Sequence, residues 1–358
     1  MRATFAPEPG SPRGRVLIVD DSAVARAVLA RVLTQSRRLE LAGSVSNAAA
    51  AMSFLASESV DIVVLDVHMP GVDGLTALPD LIAASRGAKI LIVSTVAADG
   101  AASTIQALAL GAADTLVKPG PGEPSRRFDA ELIAKLERLL DPQVRDTMAA
   151  DPAPGGEYVV RPIADSFDVV AIGASTGGIH ALSRLLRELP ASFMPPILVT
   201  QHLPPSFMPY FATQLAVLAG RPCEVATDHL RIRPGRIVVA PGEAHLRCVP
   251  IGQGGAAVRL STDPAPSGCM PSVDPMFESV AGCFGPRSLA VVLSGMGRDG
   301  TEGARRIAEV GGAVVAQDEA SSAVWGMPGS VAAAIPSVAL LDPREIGRLM
   351  ASRKRPPC

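Results

Sequence analysis

The 358-residue chain carries a formal net charge of −2, with 19% charged and 48% hydrophobic residues, a balance that suits an ordinary soluble protein of two domains or more. So weak a charge excludes bulk electrostatic attraction to nucleic acid or a membrane surface, and no apolar run approaches the roughly 18 residues of a membrane span. Met1–Gly14 lacks the apolar core of a secretory signal, and the five cysteines (Cys223, Cys248, Cys269, Cys283 and Cys358) show no C-x-x-C spacing, so a reduced cytoplasmic compartment without structural metal is expected.

Strand-like apolar runs recur in the first part of the chain at Val16–Val19, Ile62–Leu65, Ile90–Val93 and Thr115–Val117, with Leu39–Val45 as one more candidate. Helical segments are expected between them at Ala23–Thr34, Ala48–Ala56, Leu75–Ala84, Ala101–Leu110 and Asp129–Leu140. Strands that are apolar throughout and alternate with helices imply a parallel sheet covered on both faces. Such sheets place their sites at the carboxyl ends of the strands, which here carry Asp20, Asp21, Asp66, Ser94 and Lys118. Three carboxylates held together would repel unless they shared a hard divalent cation, and Mg2+ suits oxygen ligands. The hydroxyl of Ser94 and the ammonium of Lys118 would complete a place for a phosphoryl group. Taken singly, Asp20-Asp21 could cap a helix and Lys118-Pro119 could be a plain strand exit, but all five at strand ends of one array is a poor match to chance.

Pro, Gly, Asp and Ala dominate residues 142–166, a linker that is semi-rigid where Pro152 and Pro154 cluster. It separates a first domain at residues 14–141 from a second at 167–350. In the second, strand-like runs return at Val169–Ala171, Ile197–Thr200, Ile237–Ala240, Leu289–Leu293, Val314–Ala316 and Val338–Leu341, so a further α/β array is expected. The short alternating pieces of Cys223–Thr262, with a turn at Pro241-Gly242-Glu243, suggest an inserted β-hairpin.

The first of these runs ends in Gly173-Ala174-Ser175-Thr176-Gly177-Gly178. A serine on a tight strand-to-helix turn reads as a nucleophile, because the turn exposes its oxygen near backbone N–H groups. A phosphate-cradling turn is the competing reading. A nucleophile needs a base and a group that orients the base. Among five histidines, His202 directly follows the strand Ile197–Thr200 and so shares the carboxyl edge with Ser175, whereas His180 sits on the following helix and should face solvent. Asp299 lies in the Gly-rich turn Ser294–Gly300, with Asp318 as its competitor, and Asp274 is expected to cap a helix starting at Pro275. The order Ser, His, Asp differs from the familiar serine hydrolases, so the G-x-S-x-G match does not carry a lipase fold with it.

Residues 15–140 resemble the receiver domain of bacterial response regulators, through V-D-D-S at Val19–Ser22, L-D-V-H-M-P-G-V-D-G at Leu65–Gly74, Ser94, and V-K-P at Val117–Pro119. The resemblance implies a doubly wound, flavodoxin-like parallel sheet. It implies Asp66 as acceptor of a phosphoryl group from a histidine kinase, and Mg2+ on Asp20, Asp21, Asp66 and the backbone carbonyl of His68. Ser94 and Lys118 would grip the phosphoryl oxygens. Thr115 stands where that family often has an aromatic switch residue, which puts the aromatic form of the switch in doubt.

Residues 167–349 resemble the catalytic domain of the CheB-type chemotaxis methylesterase family. The match runs through I-G-A-S-T-G-G, Q-H-L-P at Gln201–Pro204, P-S-V-D at Pro271–Asp274, S-G-M-G-R-D-G at Ser294–Gly300, and Q-D-E-A with W-G-M-P within Gln317–Pro328. The resemblance implies a Rossmann-like hydrolase domain with Ser175 as nucleophile, His202 as general base and Asp299 as orienting acid. The backbone of Met296 would lie in the oxyanion hole, Thr176 would support it, and no cofactor enters that site. It implies phosphorylation-activated hydrolysis of γ-glutamyl methyl esters on chemoreceptors, deamidation of receptor glutamines, a cytoplasmic location, and no nucleic acid or membrane insertion. Cys269-Met270 stands where the family usually has a polar or basic pair, a departure that bears on substrate contacts. A catalytically silent, phosphorylation-controlled adaptor is the alternative.

Overall fold

A computed structural model describes residues 13–94, 98–119, 125–140, 167–252 and 255–352. The expected linker, residues 142–166, lies outside them, as do Cys358 and the basic tail. The chain forms two compact units.

The first is built on β1 (Gly14–Val19), β2 (Leu39–Val45), β3 (Ile62–Asp66), β4 (Lys89–Ser94) and β5 (Asp114–Val117). They run parallel in the order β2-β1-β3-β4-β5, the flavodoxin-like arrangement. Every residue of β3 is buried, as expected of a strand covered on both faces. The helices of this unit are α1 (Ala23–Leu33), α2 (Ala48–Ser57), α3 (Gly74–Ala84) and α5 (Ser125–Leu140), whereas α4 (Ala98–Leu110), which lies between β4 and β5 in sequence, is grouped with the second unit. Side-chain caps start three of them: Ser22 accepts from Ala25 N, Asn47 from Ala50 N and Asp73 from Thr76 N. Such caps contribute about 1 kcal/mol each. The cap at Ser22 also fixes the loop that holds Asp20 and Asp21.

The second unit carries β6 (Val169–Ala174), β7 (Ile197–Gln201), β8 (Cys223–Val225), β9 (Ile237–Val239), β10 (His245–Ile251), β11 (Gly255–Ser261), β12 (Ser288–Val292), β13 (Ala313–Gln317) and β14 (Ala339–Leu341). Seven of these form one parallel sheet ordered β14-β13-β12-β6-β7-β9-β8. Apart from the edge strand β8, this is the Rossmann order, in which the chain reverses direction across the sheet between β6 and β12. Helices α6 (Gly178–Leu186), α7 (Met208–Ala219), α8 (Val273–Phe284), α9 (Thr301–Glu309), α10 (Gly326–Ala334) and α11 (Pro343–Ser352) complete it. The inserted antiparallel hairpin is present as β10 and β11, but it is shorter than the sequence suggests. Cys223–Val225 joins the parallel sheet instead, beside the expected strand at Ile237–Val239, and Pro241–Glu243 links that sheet to the hairpin without forming its tip. Small aliphatic side chains fill the core, as the 3% aromatic content demands, yet Phe207, Phe211 and Phe277 are among its largest fully buried members.

Among the described residues, no helix is long and apolar enough to cross a membrane.

Candidate active site and phosphoryl site

In the first unit, Asp20 follows β1 and Asp66 ends β3, the two neighbours between which the strand order reverses, so both side chains meet at the crevice that favours ligands. Both are buried, while Asp21 is exposed. Lys118, just beyond β5, reaches back to them with Nζ 2.9 Å from Asp20 Oδ2 and 2.6 Å from Asp66 Oδ2. Backbone N–H groups hold the other oxygens: Ser22 N donates to Asp20 Oδ1 and His68 N to Asp66 Oδ1. Burial raises the pKa of Asp66, and the attraction of Lys118 only partly offsets it. Burial would lower that of Lys118, but its bonds to Asp66 and Asp20 raise it. One oxygen each from Asp20, Asp21 and Asp66 lie within 4.8 Å of one another. Oxygens around an octahedral Mg2+ stand about 2.9 to 4.2 Å apart, so this all-oxygen set fits that ion with small adjustments. Ser94 is buried at the end of β4, beside the cluster's strands. Thr115 is buried on β5, and its hydroxyl has no hydrogen-bond partner among the described residues.

In the second unit, β6 ends at Ala174 and α6 begins at Gly178, leaving Ser175, Thr176 and Gly177 to make the turn. Gly177 takes φ 76°, in the left-handed region, and a Cβ there would lie 2.4 Å from Ala323 Cβ. Only glycine fits. The turn is pinned to the loop after β12: Ser175 N donates to Ser294 O at 3.0 Å, and Ser294 Oγ donates to Thr176 O at 2.8 Å. Ser175's own N–H is thus engaged and is not among the amides that face a reacting oxygen. Close approach continues at Gly295, where a Cβ would stand 2.8 Å from Ser175 Cβ. Met296 follows on that loop, half-buried.

Registers place the base. Ala174 pairs with Gln201 across β6 and β7, so Ser175 and His202 are the next residues out at one sheet edge. His202 N donates to Ala174 O at 3.1 Å. Its Nε2 lies 2.8 Å from Asp299 Oδ2, with Asp299 buried in the loop after β12. A carboxylate only accepts, so Asp299 keeps the proton on Nε2 and leaves Nδ1 as the basic nitrogen. Among the described residues, no hydrogen bond joins Ser175 Oγ to the ring. Asp299 has further donors: Ser272 Oγ at 2.6 Å, Val273 N at 2.8 Å and Asp274 N at 3.3 Å. Burial would raise its pKa, but His202, Ser272 and Val273 together lower it. For His202, burial would lower the pKa, and the side chains of Asp299 and Cys269 outweigh that, raising it from 6.5 to about 9.

The competitors of these residues are occupied elsewhere. Asp318 accepts from Ser321 N and Oγ in a tight turn. His180 is half-buried, not facing solvent, and burial lowers its pKa. Asp274 does not cap α8, whose N-cap is Ser272. Its Oδ1 instead accepts from Gly303 N at 2.8 Å, across to α9, because the first turn of α8 packs against that helix.

Several participants escape a residue-by-residue reading of the sequence. Ser272 and Val273 hold Asp299; both lie in the P-S-V-D stretch, the one signal that marks them. His245 Nδ1 accepts from Ser272 N at 2.9 Å, while its Nε2 meets Asp263 O at 2.8 Å. Gln201 Nε2 donates to Ser175 O at 2.8 Å, and Gln317 Oε1 accepts from Ser294 N at 2.7 Å. Cys269 is not a remote departure from a pattern: its Sγ and a ring nitrogen of His202 lie within 4.8 Å of each other.

Fold and site together define a class, a receiver-type parallel-sheet domain joined in one chain to an α/β domain that carries a Ser, His, Asp constellation at its switch point. Comparison with known proteins agrees in both halves. Residues 170–350 match the family model CheB methylesterase, and residues 16–124 match the response regulator receiver domain. A protein-glutamate methylesterase/protein-glutamine glutaminase of Caulobacter vibrioides is 40% identical, with 95% of this chain and 99% of that protein covered. One from Paramagnetospirillum magneticum is 37% identical over 93% of this chain and 94% of its own length. The crystal structure of the Thermotoga maritima CheB methylesterase catalytic domain superposes with a TM-score of 0.50 at 33% identity, covering 52% of this chain and 98% of that one. The chain belongs to the CheB methylesterase family.

Proposed function

We propose that the chain is a protein-glutamate methylesterase and protein-glutamine glutaminase acting on chemoreceptors in the cytoplasm, with Ser175, His202 and Asp299 as its catalytic triad. The observation that carries this reading is the 2.8 Å pair of His202 and buried Asp299 at the sheet edge that also bears Ser175. Neutral His202 takes the hydroxyl proton through Nδ1 as Ser175 Oγ attacks the γ-glutamyl carbonyl. The tetrahedral oxyanion is met by the backbone of Met296, with Thr176 supporting that pocket. The C–O bond to methanol breaks as His202 returns the proton to the leaving oxygen. A water, deprotonated by His202, then cleaves the glutamyl-enzyme and restores a receptor carboxylate. With a glutamine substrate the same steps release ammonia. General acid–base assistance supplies roughly 10²–10⁴ in rate, and an oxyanion donor on the order of 10²–10³.

Control comes from the first domain, residues 14–141, joined through 142–166 to the hydrolase domain at 167–350. Asp66 attacks the phosphorus of a phosphohistidine on a histidine kinase, and the P–N bond breaks as the P–O bond forms. Lys118 and Ser94 hold the phosphoryl oxygens. Asp20, Asp21, Asp66 and the His68 carbonyl are the residues that would hold Mg2+, which when bound neutralises charge on those oxygens. Phosphorylation adds about −1.5 to −2 charges at Asp66 and raises hydrolysis by the second domain.

The test is methanol release from methylated receptor by the full chain and by Ser175→Ala. Loss of at least about 10⁴-fold is expected. Persistent turnover in Ser175→Ala would overturn the triad, and failure of a serine-reactive phosphonate to label wild-type Ser175 would favour a silent adaptor.

A further inference from the structure

We infer that His202, Cys269 and Asp299 form an inhibitory Zn2+ site in the hydrolase domain. The proposal rests on the hydrolase reading for its consequence, though not for the metal site itself. A ring nitrogen of His202, Sγ of Cys269 and a carboxylate oxygen of Asp299 lie within 4.8 Å of one another. Nitrogen, thiolate and carboxylate are the donors Zn2+ takes in tetrahedral sites, and three protein ligands with one open position is its usual arrangement where solvent can enter. Sulfur in the set selects against Mg2+ and Ca2+, which the all-oxygen cluster of the first unit suits.

The surroundings are those of a supported site. The second oxygen of Asp299 is fixed by Ser272 Oγ at 2.6 Å, which sets the direction of the ligating one. Ser267 Oγ accepts from Cys269 N at 3.3 Å and donates to Ser272 Oγ at 3.1 Å, so the loop carrying the thiol is tied to the residue that holds the carboxylate. Cys269 is half-buried and the His202 side chain is 18% exposed, leaving the cation a route from solvent. Two adjustments are required, one of them bringing Cys269 Sγ to about 3.5 Å from the other two donors. His202 Nε2 and Asp299 Oδ2 are 2.8 Å apart, whereas two ligands on a tetrahedral Zn2+ stand about 3.3 Å apart. The ring must therefore shift by a few tenths of an ångström as the cation takes the place of the shared proton. Binding also displaces the thiol proton of Cys269.

Such a cation occupies the base and its orienting acid at once, so it switches hydrolysis off. At a free Zn2+ concentration of 100 times its dissociation constant, about 100-fold of the turnover is lost by mass action.

The experiment uses the full chain in excess Mg2+, which saturates the hard-oxygen cluster. Zn2+ is titrated against a buffering chelator while bound metal and methanol release are both followed. Co2+ serves as the spectroscopic substitute, since thiolate ligation gives it a near-ultraviolet charge-transfer band. Wild type and Ser175→Ala are expected to show that band, and Cys269→Ser to lack it. Cys269→Ser should also require more than about 100-fold higher Zn2+ for half-inhibition, beyond what loss of a supporting group costs. Protection of Cys269 from alkylation by stoichiometric Zn2+ tests the site in the unsubstituted protein, whatever the variant does to folding. No thiolate band, no protection, or equal inhibition of wild type and Cys269→Ser would overturn the proposal. A thiolate band in a chain without esterase turnover would leave the metal site standing and fall on the hydrolase reading alone.

Discussion

Asp66 and Asp299 occupy equivalent places in two unrelated sheets, and their surroundings drive them in opposite directions. Each sits at the carboxyl edge where strand order reverses, each is buried, and each faces one cationic or basic side chain. Asp66 has Lys118 and a single backbone N–H from His68, and burial wins, raising its pKa. Asp299 has His202, a hydroxyl and two backbone N–H groups, and together these lower its pKa despite burial. The count of donors decides between the two. A carboxylate left with unfilled acceptor sites is a group that can still take a new bond, which the proposed role of Asp66 as phosphoryl acceptor requires. One that is fully surrounded holds its charge and direction for another residue's benefit.

Replacing Asp299 with its amide tests the second half of that contrast most severely. Asp299→Asn keeps the shape but can present N–H to the ring, which inverts the tautomer and removes the basic Nδ1. Turnover is expected to fall about 10³–10⁴-fold, and thermal unfolding should move down because the four bonds to Asp299 lose their charge assistance. Retained turnover would mean that Asp299 only organises the loop.

The pH profile comes next. In the proposed mechanism His202 acts when neutral, and its pKa is raised to about 9, so kcat/KM should climb about tenfold per pH unit until it levels off near pH 9. Stability runs the other way. The folded pKa exceeds the ordinary 6.5, so the stabilisation is complete below pH 6.5 and is lost as pH rises through 9. A rate already flat at pH 7 would place the base elsewhere. For Asp66 the matching test is Asp66→Asn, which should reduce the ratio of turnover with and without a small phosphodonor to one. A ratio unchanged from wild type would separate the two carboxylates functionally.

How much of this was readable in the chain follows from the same contrast. Strand-end positions such as Asp20, Asp66, Ser175 and His202 were legible because a buried parallel strand is a continuous apolar run, and its exit residue is visible by eye. The groups that set pKa values were not. Ser272 and Val273 reach Asp299 from 26 or 27 residues away, and backbone N–H groups leave no mark in composition. Cys269 was visible as a departure from a motif, but that its thiol meets His202 depends on the path of the loop before α8. Likewise β8 is not separable from the hairpin region by its sequence, since a three-residue strand carries too little alternation to declare which sheet it joins.

The smallest expected effect concerns the receiver half, where one buried hydroxyl has no partner among the described residues. Thr115 is buried on β5, opposite Ile92 in the register, with its hydroxyl unpaired. An unsatisfied buried hydroxyl costs roughly 1–3 kcal/mol, and valine keeps the β-branched shape that a strand favours. Thr115→Val should therefore stabilise that domain by about 1 kcal/mol, read by calorimetry of the full chain, with hydrogen exchange in β5 assigning the transition. A fall in stability would mean that the hydroxyl has a water partner.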